Sequence, residues 1–146
     1  MNSDFNRLYL DNISAVFGDM LNYAVNVCEE DGDGFLQKFI ESGIAQEFER
    51  GNPKYTVGKS GIEIAMEVLG LVDYQNNFLD NTTKEYWAAS VLAKFKFNTE
   101  LSFKEILKFL PFSKIIELYH PLHEADITKF FEVARQRQLT YFSLQS

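Results

Sequence analysis

Residues 83–110 constrain the fold of this 146-residue chain more than any other part of it. In the first half of this stretch, only three polar side chains interrupt the apolar residues between positions 86 and 97. A helix that is apolar on nearly every side belongs inside a protein. The pattern therefore predicts a central buried helix over 83–98, with Trp87 and Phe95 in the core.

The second half of the stretch predicts another helix after a short turn. Ser102 and Glu105 have the spacing of a capping box, in which each side chain bonds the backbone N–H of the other residue. Apolar residues then recur on one helical face as far as Leu110, and Pro111 stops the helix because it cannot donate a backbone hydrogen bond. Two consecutive helices are thus expected at the centre of the protein.

Helical periodicity also dominates the rest of the sequence. Apolar residues three and four positions apart predict further helices in 8–27, 35–48 (two short ones), 62–71, 112–119 and 124–138. We expect a loop at 51–59, a polar connection over 74–83, a turn at 120–121 and a short extended tail at 139–144. The chain is therefore predicted to be a single all-α domain spanning 1–146, a bundle of about six to eight helices around 83–98.

The charge distribution argues against nucleic acid as a partner. The net charge is −7, and residues 1–33 hold seven acids against Arg7 alone. An acidic surface repels a phosphate backbone. A helix-turn-helix around position 100 is also disfavoured, because the second helix is apolar and carries only Lys104 and Lys108 as bases. The acidic residues are interpreted as a solvated face, and the alternative is a surface that suits a basic protein partner.

The sequence also predicts the cellular location of the protein. No apolar run approaches the ~18 residues of a membrane span, and the first twelve residues lack the basic start and apolar core of a signal peptide. The single cysteine, Cys28, cannot form an internal disulfide and is expected to be a small core residue. We therefore expect a cytoplasmic protein that does not associate with membranes.

The loop at 51–60 ends like a phosphate-binding P-loop, in Gly58-Lys59-Ser60. That motif needs a further glycine five positions before Gly58, because its backbone amides wrap the phosphates. Pro53 stands there, and proline has no amide hydrogen. Ser60 followed by Glu63 is a second capping box, so the loop is interpreted as the start of a helix.

The segment Glu29–Gly34 resembles an EF-hand calcium loop. Asp31 and Asp33 fall at ligand positions when Gly34 is aligned with the glycine of that loop. The twelfth position should then be a bidentate glutamate, but it is Ile40. The sequence therefore predicts no calcium site here, and the acids are expected near the start of the next helix.

His120 and His123, together with Glu124 and Asp126, offer the donor types of a zinc site. A zinc site needs a third or fourth ligand at a compatible position, and Cys28 is far away in sequence. We therefore predict a turn with polar caps and no metal.

Five short pieces, spread over most of the chain from Asn52 onward, carry a family resemblance. They are NPKY (52–55), SGIEIAMEVL (60–69), EYWAASVLA (85–93), SFKEI (102–106) and LHEADITKF (122–130). In these pieces, above all in LHEAD, the chain resembles a family of small uncharacterised bacterial proteins that often accompany ADP-ribosyltransferase-like proteins. The resemblance implies a toxin–antitoxin or related defence setting. The chain departs from that family at 89–90, where Gly-Trp is expected, and in the aromatic pattern of 95–97, which favours a packing role for that helix.

These observations predict a non-enzymatic protein-interaction module. The resemblance implies an antitoxin or inhibitor-like protein whose partner is another protein, namely a toxin. No cofactor is predicted, and the sequence leaves the oligomeric state open. The alternative is a nucleotide- or metal-dependent enzyme that uses the loop at 51–60 or the turn at His120 and His123.

Two of the family-matching regions are predicted to face the partner, because they lie in loops and lack the pattern of a core helix. The alternative is that both regions only hold adjacent helices together. Their residues are Asn52, Pro53, Tyr55, His120, His123, Glu124 and Asp126. Tyr55 is the preferred anchor, since a tyrosine offers apolar area and a hydroxyl at low entropic cost.

Overall fold

The computed structural model describes residues 3–72 and 80–145, and in these residues it contains helices and no strand. The all-α prediction is therefore confirmed, whereas the described residues form ten helices and not the six to eight expected. The helices are α1 (Ser3–Asn26), α2 (Gly32–Glu41), α3 (Ile44–Glu49), α4 (Pro53–Thr56), α5 (Gly61–Leu69), α6 (Lys84–Phe97), α7 (Phe103–Phe109), α8 (Phe112–Glu117), α9 (Tyr119–Leu122) and α10 (Ile127–Gln145). None of these helices is both long enough and apolar enough to cross a membrane.

Helix α1 packs along α6 and α5, and the closeness of these contacts depends on small residues. A Cβ atom at Gly61 would lie 2.2 Å from the carbonyl oxygen of Val16 and 2.6 Å from the backbone nitrogen of Met20. A Cβ atom at Gly18 would lie 2.8 Å from Cε2 of Tyr86 on α6. Glycine at position 61 lets the backbones of α1 and α5 approach this closely, and glycine at position 18 leaves room for the Tyr86 ring.

The core contains a cluster of four fully buried phenylalanines from four different helices. Phe17 of α1 stacks on Phe103 of α7, with ring centroids 4.8 Å apart and planes inclined by 16°. Phe39 of α2 and Phe48 of α3 each lie 5.7 Å from Phe17, in tilted or edge-to-face geometry. We call these four residues the phenylalanine core. Such ring pairs add about 0.5–1.5 kcal/mol each beyond the area they bury.

Both predicted capping boxes are present. Ser60 caps α5 with Glu63, and Ser102 caps α7 with Glu105. Helix α5 ends two residues before the predicted end, because Gly70 takes a left-handed conformation with a φ of 70°. Of the predicted connection over 74–83, residues 74–79 lie outside the described residues.

Three local predictions were wrong. The loop at 51–59 contains α4, since Asn52 caps a short helix that begins with a proline. The expected turn at 120–121 is α9, whose proline lies in a first turn where no N–H is needed. The tail at 139–144 is helical and continues α10, which starts at Ile127 rather than at position 124.

Tertiary contacts explain the helical tail. Tyr141 and Phe142 both lie 6.3 Å from Phe109 of α7, measured between ring centroids. This packing overrides a local composition that is compatible with a strand.

The two residues predicted to lie in the core differ in their burial. Phe95 is fully buried, whereas Trp87 is only partly buried.

Candidate functional site

The first predicted partner-facing region, NPKY, is largely engaged within the protein. The side chain of Asn52 accepts a hydrogen bond from the backbone of Lys54 and donates one to Glu47. Tyr55 is only 7% exposed, and its hydroxyl donates to Oε1 of Glu67 at 3.2 Å. Pro53 is exposed at the first position of α4. Tyr55 is therefore a core residue, and only a small part of its surface is accessible to a partner.

The loop at 51–60 has no geometry for cradling a phosphate. The Lys59 ammonium donates to Oε2 of Glu67 at 2.6 Å, and this hydrogen bond raises the pKa of Lys59 and lowers the pKa of Glu67. The Gly58 amide donates to the carbonyl oxygen of Pro53 at 2.8 Å. The groups that a nucleotide would need are thus bonded within the protein.

The acids of the EF-hand-like segment also have structural partners. Asp31 caps α2 by accepting from the backbone of Gly34, and Asp33 accepts from the backbone of Ser113 at the start of α8. Glu30 pairs with Lys38 at 2.8 Å. These contacts tie α2 to its neighbours.

The predicted residues of the second region, around α9, have three different roles. One caps a helix, two are exposed, and one forms part of a pocket wall. Asp126 accepts hydrogen bonds from Thr128 at the start of α10, and these lower its pKa. His120 and Glu124 are exposed. His123 is partly buried, and its Nε2 lies 3.7 Å from Oε1 of Glu124. Among residues 3–72 and 80–145, no three His, Cys, Asp or Glu side chains are grouped so as to hold a metal ion.

A cavity of about 280 Å³ lies where the first half of α6 meets α9. Its aromatic wall consists of Tyr86 and Trp87 of α6, Tyr119 of α9, and His123 directly after α9. We call this cavity the aromatic pocket. All four rings are partly buried, so each presents some of its surface to solvent.

The rings of the aromatic pocket are held in a fixed arrangement. Tyr119 stacks on His123, with centroids 4.1 Å apart and planes inclined by 16°, and meets Trp87 nearly edge-to-face at 5.8 Å. His123 Nδ1 lies 2.7 Å from the carbonyl oxygen of Tyr119, and the Tyr119 hydroxyl donates to the carbonyl oxygen of Thr82 at 3.2 Å. The ring of Trp87 also contacts Phe130 of α10. Four elements of the fold thus converge on this wall.

Asn81, Thr82, Thr83 and Ser90 provide the polar lining of the pocket. Thr83 caps α6 and donates to the side chain of the fully buried Asn22 at 2.9 Å. The Ser90 hydroxyl donates to the carbonyl oxygen of Trp87. Asn81 is exposed at the edge of the pocket. The polar side is therefore anchored to α1, while its outer edge is open to solvent.

Asp19 lies beside Tyr86, outside the pocket lining. Burial raises the pKa of the Asp19 carboxyl group. Burial also raises the pKa of Tyr86, and the negative charge of Asp19 raises it further. The Tyr86 phenol therefore stays protonated near neutral pH.

Sequence reasoning placed only His123 of the pocket wall among the site residues. Tyr86, Trp87 and Tyr119 were assigned to helix packing, because their spacing fits an apolar helical face. The available signal was the pair of family-matching pieces EYWAASVLA and LHEADITKF, which meet at this pocket. By contrast, no hydrogen bond or ring contact joins the NPKY region to the α9 region in the part of the chain that the structure describes.

No protein-family model, curated protein or solved structure matches this chain. The family resemblance inferred from the short pieces stays a prediction.

Proposed function

We propose that this protein is a non-enzymatic binding module that receives a side chain of a partner protein in the aromatic pocket. The observation that carries the proposal is a preformed cavity whose wall is made of Tyr86, Trp87, Tyr119 and His123. Tryptophan and tyrosine are the residues most enriched among those that dominate protein–protein binding energies.

The size of the pocket favours a side chain over a larger ligand. Small-molecule and cofactor sites occupy about 300–1,000 Å³. The aromatic pocket, at about 280 Å³, lies at the lower edge of that range and is open at the protein surface. It therefore suits one side chain of a larger molecule, with the rest of the partner lying on the surrounding surface.

The pocket is also preorganised. The Tyr119 hydroxyl is bonded to the segment before α6, and Thr83 is bonded to Asn22 of α1. A site whose side chains are already fixed loses less conformational entropy when a partner binds. This rigidity supports a role in recognition.

The proposed surface revises the predicted site residues. His123 forms part of the pocket wall, and the exposed residues His120 and Glu124 extend the surface around it. Asp126 is not included in the pocket wall, since its carboxylate accepts from Thr128 at the start of α10. The NPKY region is not included, since Tyr55 is buried and Asn52 is engaged with Glu47.

The family resemblance supplies the proposed biological setting. Under it, the module is an antitoxin or inhibitor-like protein of the bacterial cytoplasm, and its partner is a toxin. The overall charge of −7 supports a partner with a basic surface.

The experiment that tests the proposal blocks the pocket without disturbing the fold. Asn81→Arg places a long side chain at the pocket edge, and Gln136→Arg makes the same charge change at an exposed position on α10. Affinity capture from native cells should recover a partner with wild type and with Gln136→Arg, and lose it with Asn81→Arg. Thermal melts by circular dichroism check that all three proteins are folded.

The recovered partner then tests the antitoxin assignment. Its expression alone should arrest growth, and co-expression of wild type or Gln136→Arg should restore growth where Asn81→Arg does not. If Asn81→Arg retains every partner of wild type, the pocket is not the binding site. If the partner is harmless to growth, the binding module stands and the antitoxin assignment falls.

A further inference from the structure

We infer that the aromatic pocket is built to receive an arginine side chain. This inference rests on the proposed function, and it specifies the chemistry of the group that the partner must present. It is carried by the meeting of an aromatic wall with a surrounding excess of carboxylates.

The aromatic wall favours a cation. A guanidinium or ammonium group over the face of tryptophan or tyrosine is attracted by the negative potential of the ring, and tryptophan gives the strongest attraction. Trp87 and Tyr119 are nearly perpendicular to each other, with planes inclined by 74°. A group that enters between them meets two differently oriented aromatic surfaces.

The charges around the pocket favour the same sign. The two segments that carry the pocket lining, 80–90 and 119–126, contain Asp80, Glu85, Glu124 and Asp126 against Lys84 alone. A potential of this sign attracts a cationic ligand and repels a carboxylate or a phosphate. The charge excess alone would define no site, but two of its carboxylates contact residues of the aromatic pocket: Asp80 accepts from Thr82, and Oε1 of Glu124 lies 3.7 Å from Nε2 of His123.

Between the two cationic side chains, arginine fits better than lysine. The guanidinium group is planar, stacks on aromatic rings and sheds its water more readily than an ammonium group. Its five donors also match the polar lining, where Asn81, Thr82 and Ser90 offer side-chain oxygen atoms. Lysine would present only a compact, strongly hydrated charge.

The indole N–H of Trp87 supplies a second point of recognition. Within the described residues it has no hydrogen-bond acceptor, and it is not sealed from solvent. A peptide carries carbonyl oxygens on either side of its arginine. One of them can accept from Trp87 while the guanidinium group occupies the pocket.

The test uses Trp87 as its own reporter, because it is the only tryptophan in the chain. The probes are the capped tripeptides acetyl-Gly-Arg-Gly-amide, its lysine counterpart, and its citrulline counterpart, which has nearly the same shape and no charge. We expect a saturable change in Trp87 emission with the arginine peptide and a Kd of about 1–10 mM. The citrulline and lysine peptides should bind at least about fivefold more weakly.

Two variants test the origin of the selectivity. Glu124→Gln should weaken binding of the arginine peptide by about two- to threefold, because it removes one exposed charge next to His123. Glu100→Gln makes the same change in the turn beyond the opposite end of α6 and should leave the Kd unchanged. Asn81→Arg should abolish the response, and His123→Ala provides a second pocket variant if Asn81→Arg does not fold.

The outcomes separate this inference from the proposed function. Equal binding of arginine and citrulline peptides, a stronger response to lysine, or no saturation with the arginine peptide overturns the arginine assignment. Partner capture that still depends on position 81 would then leave the binding module intact. Selective arginine binding together with partner capture that ignores Asn81→Arg would contradict the proposed function, while the pocket chemistry would stand.

Discussion

The phenylalanine core and the aromatic pocket use similar side chains for different purposes. In the core, Phe17, Phe39, Phe48 and Phe103 are fully buried and surrounded by other apolar groups. In the pocket, Trp87 and Tyr119 keep part of their surface exposed, and a hydrogen bond from the Tyr119 hydroxyl to the carbonyl oxygen of Thr82 holds that ring in place. The sealed rings contribute stability, whereas the rings that are held in place but left partly open are the ones for which we propose a role in recognition.

The largest effect is expected from the core. Phe103→Ala should lower the free energy of unfolding by about 3–5 kcal/mol, because it removes the ring that stacks on Phe17 and leaves a cavity. Urea denaturation followed by far-UV circular dichroism measures the loss. A change below about 1 kcal/mol would show that the surrounding helices collapse into the space.

Trp87→Ala should cost less, about 2 kcal/mol, although tryptophan is the larger residue. Its ring contacts Tyr119 and Phe130 but is only partly buried, so part of its area is in water already. The same denaturation experiment applies. If Trp87→Ala lowers the free energy of unfolding as much as Phe103→Ala does, the pocket rings contribute to stability in the same way as the core rings, and the comparison is wrong.

Gly18→Ala should affect both regions at once. The added methyl group would lie 2.8 Å from the Tyr86 ring, which must then shift within the pocket wall. We expect a net loss of about 1 kcal/mol and a shift in the emission maximum of Trp87. Gly34→Ala is the control away from the pocket, since a Cβ atom there would meet the exposed carboxylate of Asp31 at 3.3 Å, not the Tyr86 ring, and helix propensity favours alanine.

The smallest effect is expected from Asp19→Asn, and it should depend on pH. Burial raises the folded-state pKa of Asp19, so the stability that its protonated form contributes is present below the unfolded pKa and lost as the pH rises through the folded pKa. At pH 7 the amide should therefore raise the free energy of unfolding, by less than about 1 kcal/mol after solvent screening. The difference between variant and wild type should disappear below about pH 3.

Local signals predicted much of the fold. The capping boxes at Ser60 and Ser102 were found from sequence because all of their atoms lie within four residues of chain. The all-α class followed from apolar spacing for the same reason. The helical tail was missed, since the contacts of Tyr141 and Phe142 with Phe109 span more than thirty residues.

The candidate site was harder to predict because its residues look like core residues. Trp87 occupies a helix that is apolar nearly all round, and only the position of α9 leaves part of its ring uncovered. Tyr55 shows the opposite error, since a tyrosine in a polar loop turned out to be buried against α5. The solvent exposure of a side chain depends on which other elements pack against it. The apolar periodicity of its own helix does not show this.

The hydrogen bonds of Glu67 also bear on the order in which the chain folds. Tyr55 and Lys59 reach Glu67 across only 12 and 8 residues, whereas Thr83 reaches Asn22 across 61. Closing the longer loop costs about 1.4 kcal/mol more in chain entropy, which is roughly a tenfold slower search. We therefore expect α4 and α5 to form a local unit early and the docking of α1 on α6 to limit the folding rate.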